Sequence, residues 1–187
     1  LDARRYGWFL AAVILAMATK EDVGLSVAVI ALLLAVARPA KRRFGVLLAL
    51  GALLWVALCF KVILPHYTVG VAGGNNYWYR YSWLGRTPLE ALVNALTKPW
   101  LVLGYLAAPG RLGYLAIVLR TAGGLGLLAP ALLLAALPDL AVNLLSTHTE
   151  QYSGFFQYNA LILPYLLGAA VYGAAALVHA RQRAASQ

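Results

Sequence analysis

The sequence predicts an all-α protein: a polytopic transmembrane helical bundle of about six membrane segments, some short or broken, with one extracytoplasmic interfacial helix. Three observations predict it: an apolar composition, apolar runs of membrane length, and a one-sided distribution of Lys and Arg. Of 187 residues, 63% are hydrophobic and 11% charged, and the mean hydropathy is +0.76. A soluble domain carries roughly 45–50% apolar and about 25% charged residues, so this chain lacks the polar residues that a water-facing surface requires. A soluble enzyme, a disordered chain and a disulfide scaffold are excluded, the only cysteine, Cys59, lying inside an apolar run. The formal charge of +9 would suggest nucleic acid in a soluble protein. Here the basic residues punctuate apolar stretches, as membrane topology requires, and no nucleic acid partner is expected.

Crossing about 30 Å of hydrocarbon takes about 20 apolar residues. Residues 44–64, 125–146 and 160–178 meet that length, the second with Pro130, Pro138 and Asp139 inside it. Residues 6–18, 23–37 and 110–119 are apolar but shorter. Arg4-Arg5, Arg38 with Lys41-Arg42-Arg43, Arg120, and Arg181 with Arg183 fall on four connections that alternating crossings place on one face. By the positive-inside rule that face is cytoplasmic. Lys20-Glu21-Asp22, the stretch 65–109 and the connection 147–159 then face outward. No repeat or linker divides residues 1–187, which read as a single membrane domain. The opening Leu1 suggests a chain shortened at its N-terminus. Inside the extracytoplasmic loop 65–109, Thr87-Pro88-Leu89-Glu90 has the pattern of a capping box with proline at the first helical position. Leu89, Leu92, Val93 and Leu96 follow at helical spacing, predicting an amphipathic interfacial helix over 88–98, with Trp100 and Tyr105 anchoring its exit.

Three polar clusters lie on the outward side. Thr19-Lys20-Glu21-Asp22 interrupts two short apolar segments, the first about 20 Å long if helical, which sets its charges below the outer lipid surface. Thr19 as a cap with Asp22 at the third position would expose N–H groups that, with Lys20, favour a phosphate. The two acids oppose this, and a magnesium or manganese ion on Glu21 or Asp22 would reconcile them. A hydrated hairpin tip is the plainer alternative. The second cluster, 75–83, follows Gly73-Gly74. Its Tyr79, Tyr81 and Trp83 suit stacking on a sugar, and Arg80 suits a phosphate; an interfacial aromatic belt explains the same composition. The third contains His148, Glu150 and Gln151, fed by a helix bearing Asp139 and Asn143, where a kink at Pro138 stabilised by Asn143 or water is the structural alternative. No Walker loop, dinucleotide fingerprint, nucleophile elbow or haem attachment motif is present. Gly123, Gly124 and Gly126 suit a loosened turn or close helix packing.

Three stretches carry a family resemblance: residues 19–25, residues 79–85, and Leu137-Pro138-Asp139-Leu140 through 143–146, followed by Gln157-Tyr158 and Pro164. Together they resemble the domain-of-unknown-function family 2079, polytopic prokaryotic membrane proteins similar to the GT-C glycosyltransferases. The resemblance spans nearly the whole chain. It implies a GT-C-like fold, a polyprenyl-phosphate-linked sugar donor and an extracytoplasmic active site in a prokaryotic inner or plasma membrane. It also implies that this chain is a C-terminal portion, without the catalytic acid that the first outer loop usually supplies. The resulting expectation is sugar transfer from the lipid carrier, with Glu21 and Asp22 as catalytic or metal-binding acids and Lys20 and Arg80 on phosphate. Tyr79, Tyr81, Trp83, His148 and Gln151 would shape the sugar pocket. The alternatives are a non-catalytic membrane subunit, binding lipid or other membrane subunits, and a secondary transporter using the broken first helix.

Overall fold

The computed structural model describes residues 6–68 and 77–186, and every regular element among them is helical. Arg4-Arg5, Gly73-Gly74 and Asn75-Asn76 lie outside the described residues. The chain forms two compact units, Leu1–Asn75 and Asn76–Gln187.

In the first unit, α1 (Tyr6–Thr19) and α2 (Val23–Ala37) flank the charged turn, and a short 3-10 turn, Pro39–Lys41, leads into α3 (Arg42–Leu58). α2 stops at Arg38 because Pro39 disfavours the helical region for the residue before it. A widened π-type turn, Cys59–Ile63, joins α3 to α4 (Leu64–Tyr67). It ends two residues before Pro65, which has no N–H to give to Lys61, and the Leu64 N–H reaches back to the Cys59 carbonyl. Helices α2 and α3 meet on small residues. Ala28, Ala31 and Ala35 are buried along α2, and Gly45, Ala49 and Ala52 along α3. A Cβ on Gly45 would stand 2.5 Å from the Ala31 carbonyl oxygen, and one on Gly24 would stand 2.9 Å from that of Ala52. This is the close approach that small residues permit between helices in lipid. No residue of α1 is buried.

In the second unit, α5 (Pro88–Thr97) is followed by α6 (Pro99–Leu106) and α7 (Pro109–Arg120), which are bent at 77° to one another. A 3-10-type connection, Thr121–Leu128, precedes α8 (Pro130–Leu145), and α9 (Leu163–Ala185) closes the chain. Gly123 and Gly124 have positive φ there, 68° and 75°, which only glycine adopts without strain. α9 crosses this connection so closely that a Cβ on Gly173 would fall 1.9 Å from the Leu125 carbonyl oxygen. The core gathers Tyr114, Val118, Ala136, Leu144, Ile162 and Leu166.

Two helices among the described residues are long and apolar enough to cross a membrane, Pro39–Tyr67 and Leu163–Ala185, and the bent α6–α7 pair raises the number to three. The other three expected segments fall on shorter apolar helices. α1, α2 and α8 are apolar but have only 14, 15 and 16 residues. The run 125–146 is not one helix: residues 125–128 belong to the 3-10-type connection, and α8 starts only at Pro130.

Candidate functional site

The charged turn of the first unit differs from its expected geometry in one respect. Thr19 ends α1 instead of capping α2: its hydroxyl donates to the Ala16 carbonyl at 2.7 Å. Asp22 takes the position before α2, yet its side chain caps nothing. It turns to Lys20, whose Nζ donates to Asp22 Oδ2 at 2.5 Å. Asp22 is buried, and its Oδ1 has no hydrogen-bond partner among the described residues. Glu21 is half-buried, and the Lys20 side chain is 45% exposed. The turn thus holds one cation against two acids, with one carboxylate oxygen unsatisfied. Among the described residues no three His, Cys, Asp or Glu side chains gather as a metal cluster.

In the second unit the remaining candidates gather at the C-terminal end of α8. The last carbonyls of a helix lack intrahelical donors, and inside lipid each must find another. Tyr81 Oη donates to the Val142 carbonyl at 3.0 Å and Trp83 Nε1 to the Leu145 carbonyl at 2.8 Å. Arg111 donates from Nε to the Leu144 carbonyl and from Nη2 to the Ser146 carbonyl, both at 2.9 Å. Tyr105 Oη also reaches the Ser146 carbonyl, at 3.1 Å. The rings stack as they donate. Trp83 lies on Tyr105 with centroids 3.7 Å apart, and the Arg111 guanidinium sits 3.7 Å from the Tyr105 ring and 4.5 Å from that of Tyr152. A buried cation is thereby satisfied by carbonyl oxygens at the negative end of a helix and by ring faces.

Arg80 stands at the edge of this cap. Its guanidinium carbon lies 4.7 Å from the Tyr77 ring and 5.7 Å from the Tyr79 ring, Nη1 donates to Gln151 Oε1 at 3.4 Å, and Nε approaches Tyr79 Oη at 3.4 Å. Its carbonyl accepts the Thr147 N–H at 2.9 Å, which ties the ring-rich turn Tyr77–Tyr81 to the connection after α8. No carboxylate forms an ion pair with Arg80 among the described residues. His148 Nε2 lies 3.2 Å from Glu150 Oε2, and the His148 N–H donates to Ser146 Oγ. A backbone hydrogen bond to the Glu150 carboxylate holds its pKa below the ordinary value, with His148, Thr149 and Arg80 acting in the same direction against a smaller effect of burial. Gln151 is buried.

The structure therefore brings Tyr79, Arg80, Tyr81, Trp83, His148 and Gln151 to one helix end. It engages the polar atoms of Tyr81 and Trp83 in closing that end. Asn143 does not serve the Pro138 break: its amide donates to Tyr114 Oη at 2.9 Å and to the Tyr158 carbonyl at 3.1 Å, and α8 runs on through Pro138. Sequence reasoning missed Arg111, Tyr114 and the packing of the Tyr105 and Tyr152 rings on the Arg111 guanidinium. A signal for Arg111 was present, a lone cation between the apolar stretches of α6 and α7.

The chain belongs to a family of predicted membrane proteins, domain-of-unknown-function family 2079, whose model matches residues 1–186. No curated protein matches it, and no solved structure does.

Proposed function

From membership in that membrane-protein family, we propose that the chain is part of a GT-C-like glycosyltransferase, which moves a sugar from a polyprenyl phosphate at the outer face of a prokaryotic inner or plasma membrane. The observation that carries this reading is Arg80: a guanidinium oriented by two tyrosine rings and the Gln151 amide, with no carboxylate paired to it among the described residues. Such a group pairs with phosphate, and the neighbouring rings offer faces to a sugar. In an inverting transfer, a carboxylate takes the proton of the acceptor hydroxyl, the acceptor oxygen bonds to the anomeric carbon, and the bond from that carbon to the phosphate oxygen breaks. Arg80 would neutralise the charge left on the departing phosphate. In the first unit taken by itself, Glu21 and Asp22 are carboxylates of the kind such a step uses, and Lys20 beside them suits a phosphate.

A magnesium or manganese ion belongs to the same reading. Both prefer hard oxygen donors, and the unsatisfied Asp22 Oδ1 fits that preference. Glu21 and this oxygen are the atoms that would hold it, since Lys20 occupies Oδ2. When bound, the ion would supply positive charge against the phosphate. The two sets of residues are testable separately. In the full-length protein reconstituted with lipid-linked sugar, Arg80→Ala and Asp22→Asn are each expected to lower turnover at least about a hundredfold. Unchanged turnover in both, with folding intact, overturns the reading.

A second reading, a non-catalytic membrane subunit, is favoured by the engagement of Tyr81 and Trp83 in closing α8. Under it, Arg80→Ala changes co-purification with other membrane subunits and leaves sugar turnover untouched.

A further inference from the structure

The second unit contains a cavity of about 340 Å³ that none of the residues discussed above as phosphate or sugar contacts lines. Its floor is aliphatic, built by Val118, Ile162 and Leu166, and its rim carries Thr121, Gln157 and Asn159. No charged side chain lines it. An uncharged, mostly apolar pocket with a few polar groups at one edge rejects ions and phosphates, whose desolvation nothing there would offset, and accepts neutral molecules with an aliphatic body and an oxygen-bearing head.

The polar edge is oriented from behind. Asn143 Nδ2 donates to Tyr114 Oη at 2.9 Å, which commits the Tyr114 hydroxyl hydrogen to Asn159 Oδ1 at 2.5 Å. The Asn159 amide is therefore fixed with its oxygen inward and its NH₂ toward the Gly154 loop. Among the described residues that NH₂ makes one bond, to the Gly154 carbonyl, at the long distance of 3.5 Å. Tyr114 is buried, so this chain of donors is a rigid support. Gly154 itself has φ of 82° and borders the cavity.

We propose that this cavity binds a neutral amphiphile, its aliphatic part on Val118, Ile162 and Leu166 and a hydroxyl or ether oxygen accepting from Asn159 Nδ2. The proposal goes beyond sugar transfer and does not depend on it. It is tested on the full chain in phosphatidylcholine vesicles with two photoreactive probes sharing one diazirine-bearing decyl chain, one ending in glucose and one in phosphate. The glucoside is expected to label residues 154–166 about tenfold more than the phosphate. Ala160→Phe, a substitution at an exposed position on the cavity lining, should lower that labelling at least about fivefold. Asn159→Asp keeps an oxygen for Tyr114 and removes the donor, and should lower it about fivefold. Equal labelling by the two probes, or undiminished labelling in Ala160→Phe with an unchanged melting temperature, overturns the proposal. Should Asn159→Asp fail to fold, Ala160→Phe alone decides. Arg80→Ala should leave the labelling unchanged, so failure here is distinguishable from failure of the sugar-transfer reading.

Discussion

The α2–α3 pair and the C-terminal end of α8 solve the same problem by opposite means. Lipid tails are as apolar as leucine, so burying leucine between helices gains little, and helices must associate through close backbone approach or through polar groups that lipid cannot satisfy. α2 and α3 take the first course, bringing Gly24 and Gly45 against the opposing backbone along a seam of alanines. The α8 end takes the second, gathering donors from Tyr81, Trp83, Tyr105 and Arg111 onto successive carbonyls. The seam is written in local spacing; the cap is assembled from residues 33 to 62 positions apart. One consequence is that the seam fails by steric overfilling and the cap by loss of a donor.

The largest expected effect is on backbone approach. Gly173→Val and Gly45→Val place a Cβ within 1.9 Å and 2.5 Å of backbone oxygen that has no room to yield. Each should abolish the monodisperse folded protein in size-exclusion chromatography, a loss above about 4 kcal/mol, whereas Gly51→Val, which meets nothing, should elute as wild type. Next comes the cap. Arg111→Met keeps the aliphatic stem, strands the Leu144 carbonyl and leaves Ser146 only its Tyr105 donor, and should cost about 3 kcal/mol in thermal unfolding, with Arg111→Lys recovering only part of it. Trp83→Phe preserves a ring on Tyr105 but removes the donor to Leu145, and should cost about 1 kcal/mol by the same measurement. If Arg111→Met proved neutral, the cap would be decoration and the contrast between the two regions would collapse.

The smallest effect sharpens the comparison at its edge. The folded pKa of Glu150 lies below its unfolded value, so its contribution is fully present above the ordinary carboxylate pKa and is lost as the pH falls through the depressed one. Melting temperature should therefore decline slightly on acidification below about pH 4, and Glu150→Gln should remove that part of the decline. The cap itself depends on arginine and on neutral donors, and should hold over the same range.

How much of this was legible in the sequence follows the same division. The helix Pro88–Thr97 was readable because its signals are adjacent: Thr87 Oγ1 accepts the Glu90 N–H at 3.2 Å as the motif requires. Even there the reciprocal bond shifts by one residue, Glu90 Oε2 accepting from Arg86 N at 2.9 Å. Hydropathy runs through Pro130 without registering that this proline starts a new helix, so the expected run 125–146 joins a 3-10-type connection to α8. Tyr79, Arg80 and Gln151 were marked by chemistry alone, and their meeting is a tertiary fact. Arg111 went unnoticed although a cation between apolar stretches demands an explanation. The destination of its hydrogen bonds, two carbonyls more than thirty residues later, is set by the packing of α7 on α8 and by no local pattern.

The widened turn Cys59–Ile63 carries slack. A loop of five residues where an ordinary helix closes four stores one surplus residue, and removing it would let the coil tighten while the segments on either side kept their facing. The same removal in α2 would swing every following side chain about 100° around the axis and carry its alanines off the seam. Within the continuous run from α3 to α4, shortening by one residue is thus admissible at this turn, and natural length variation along that run should collect there.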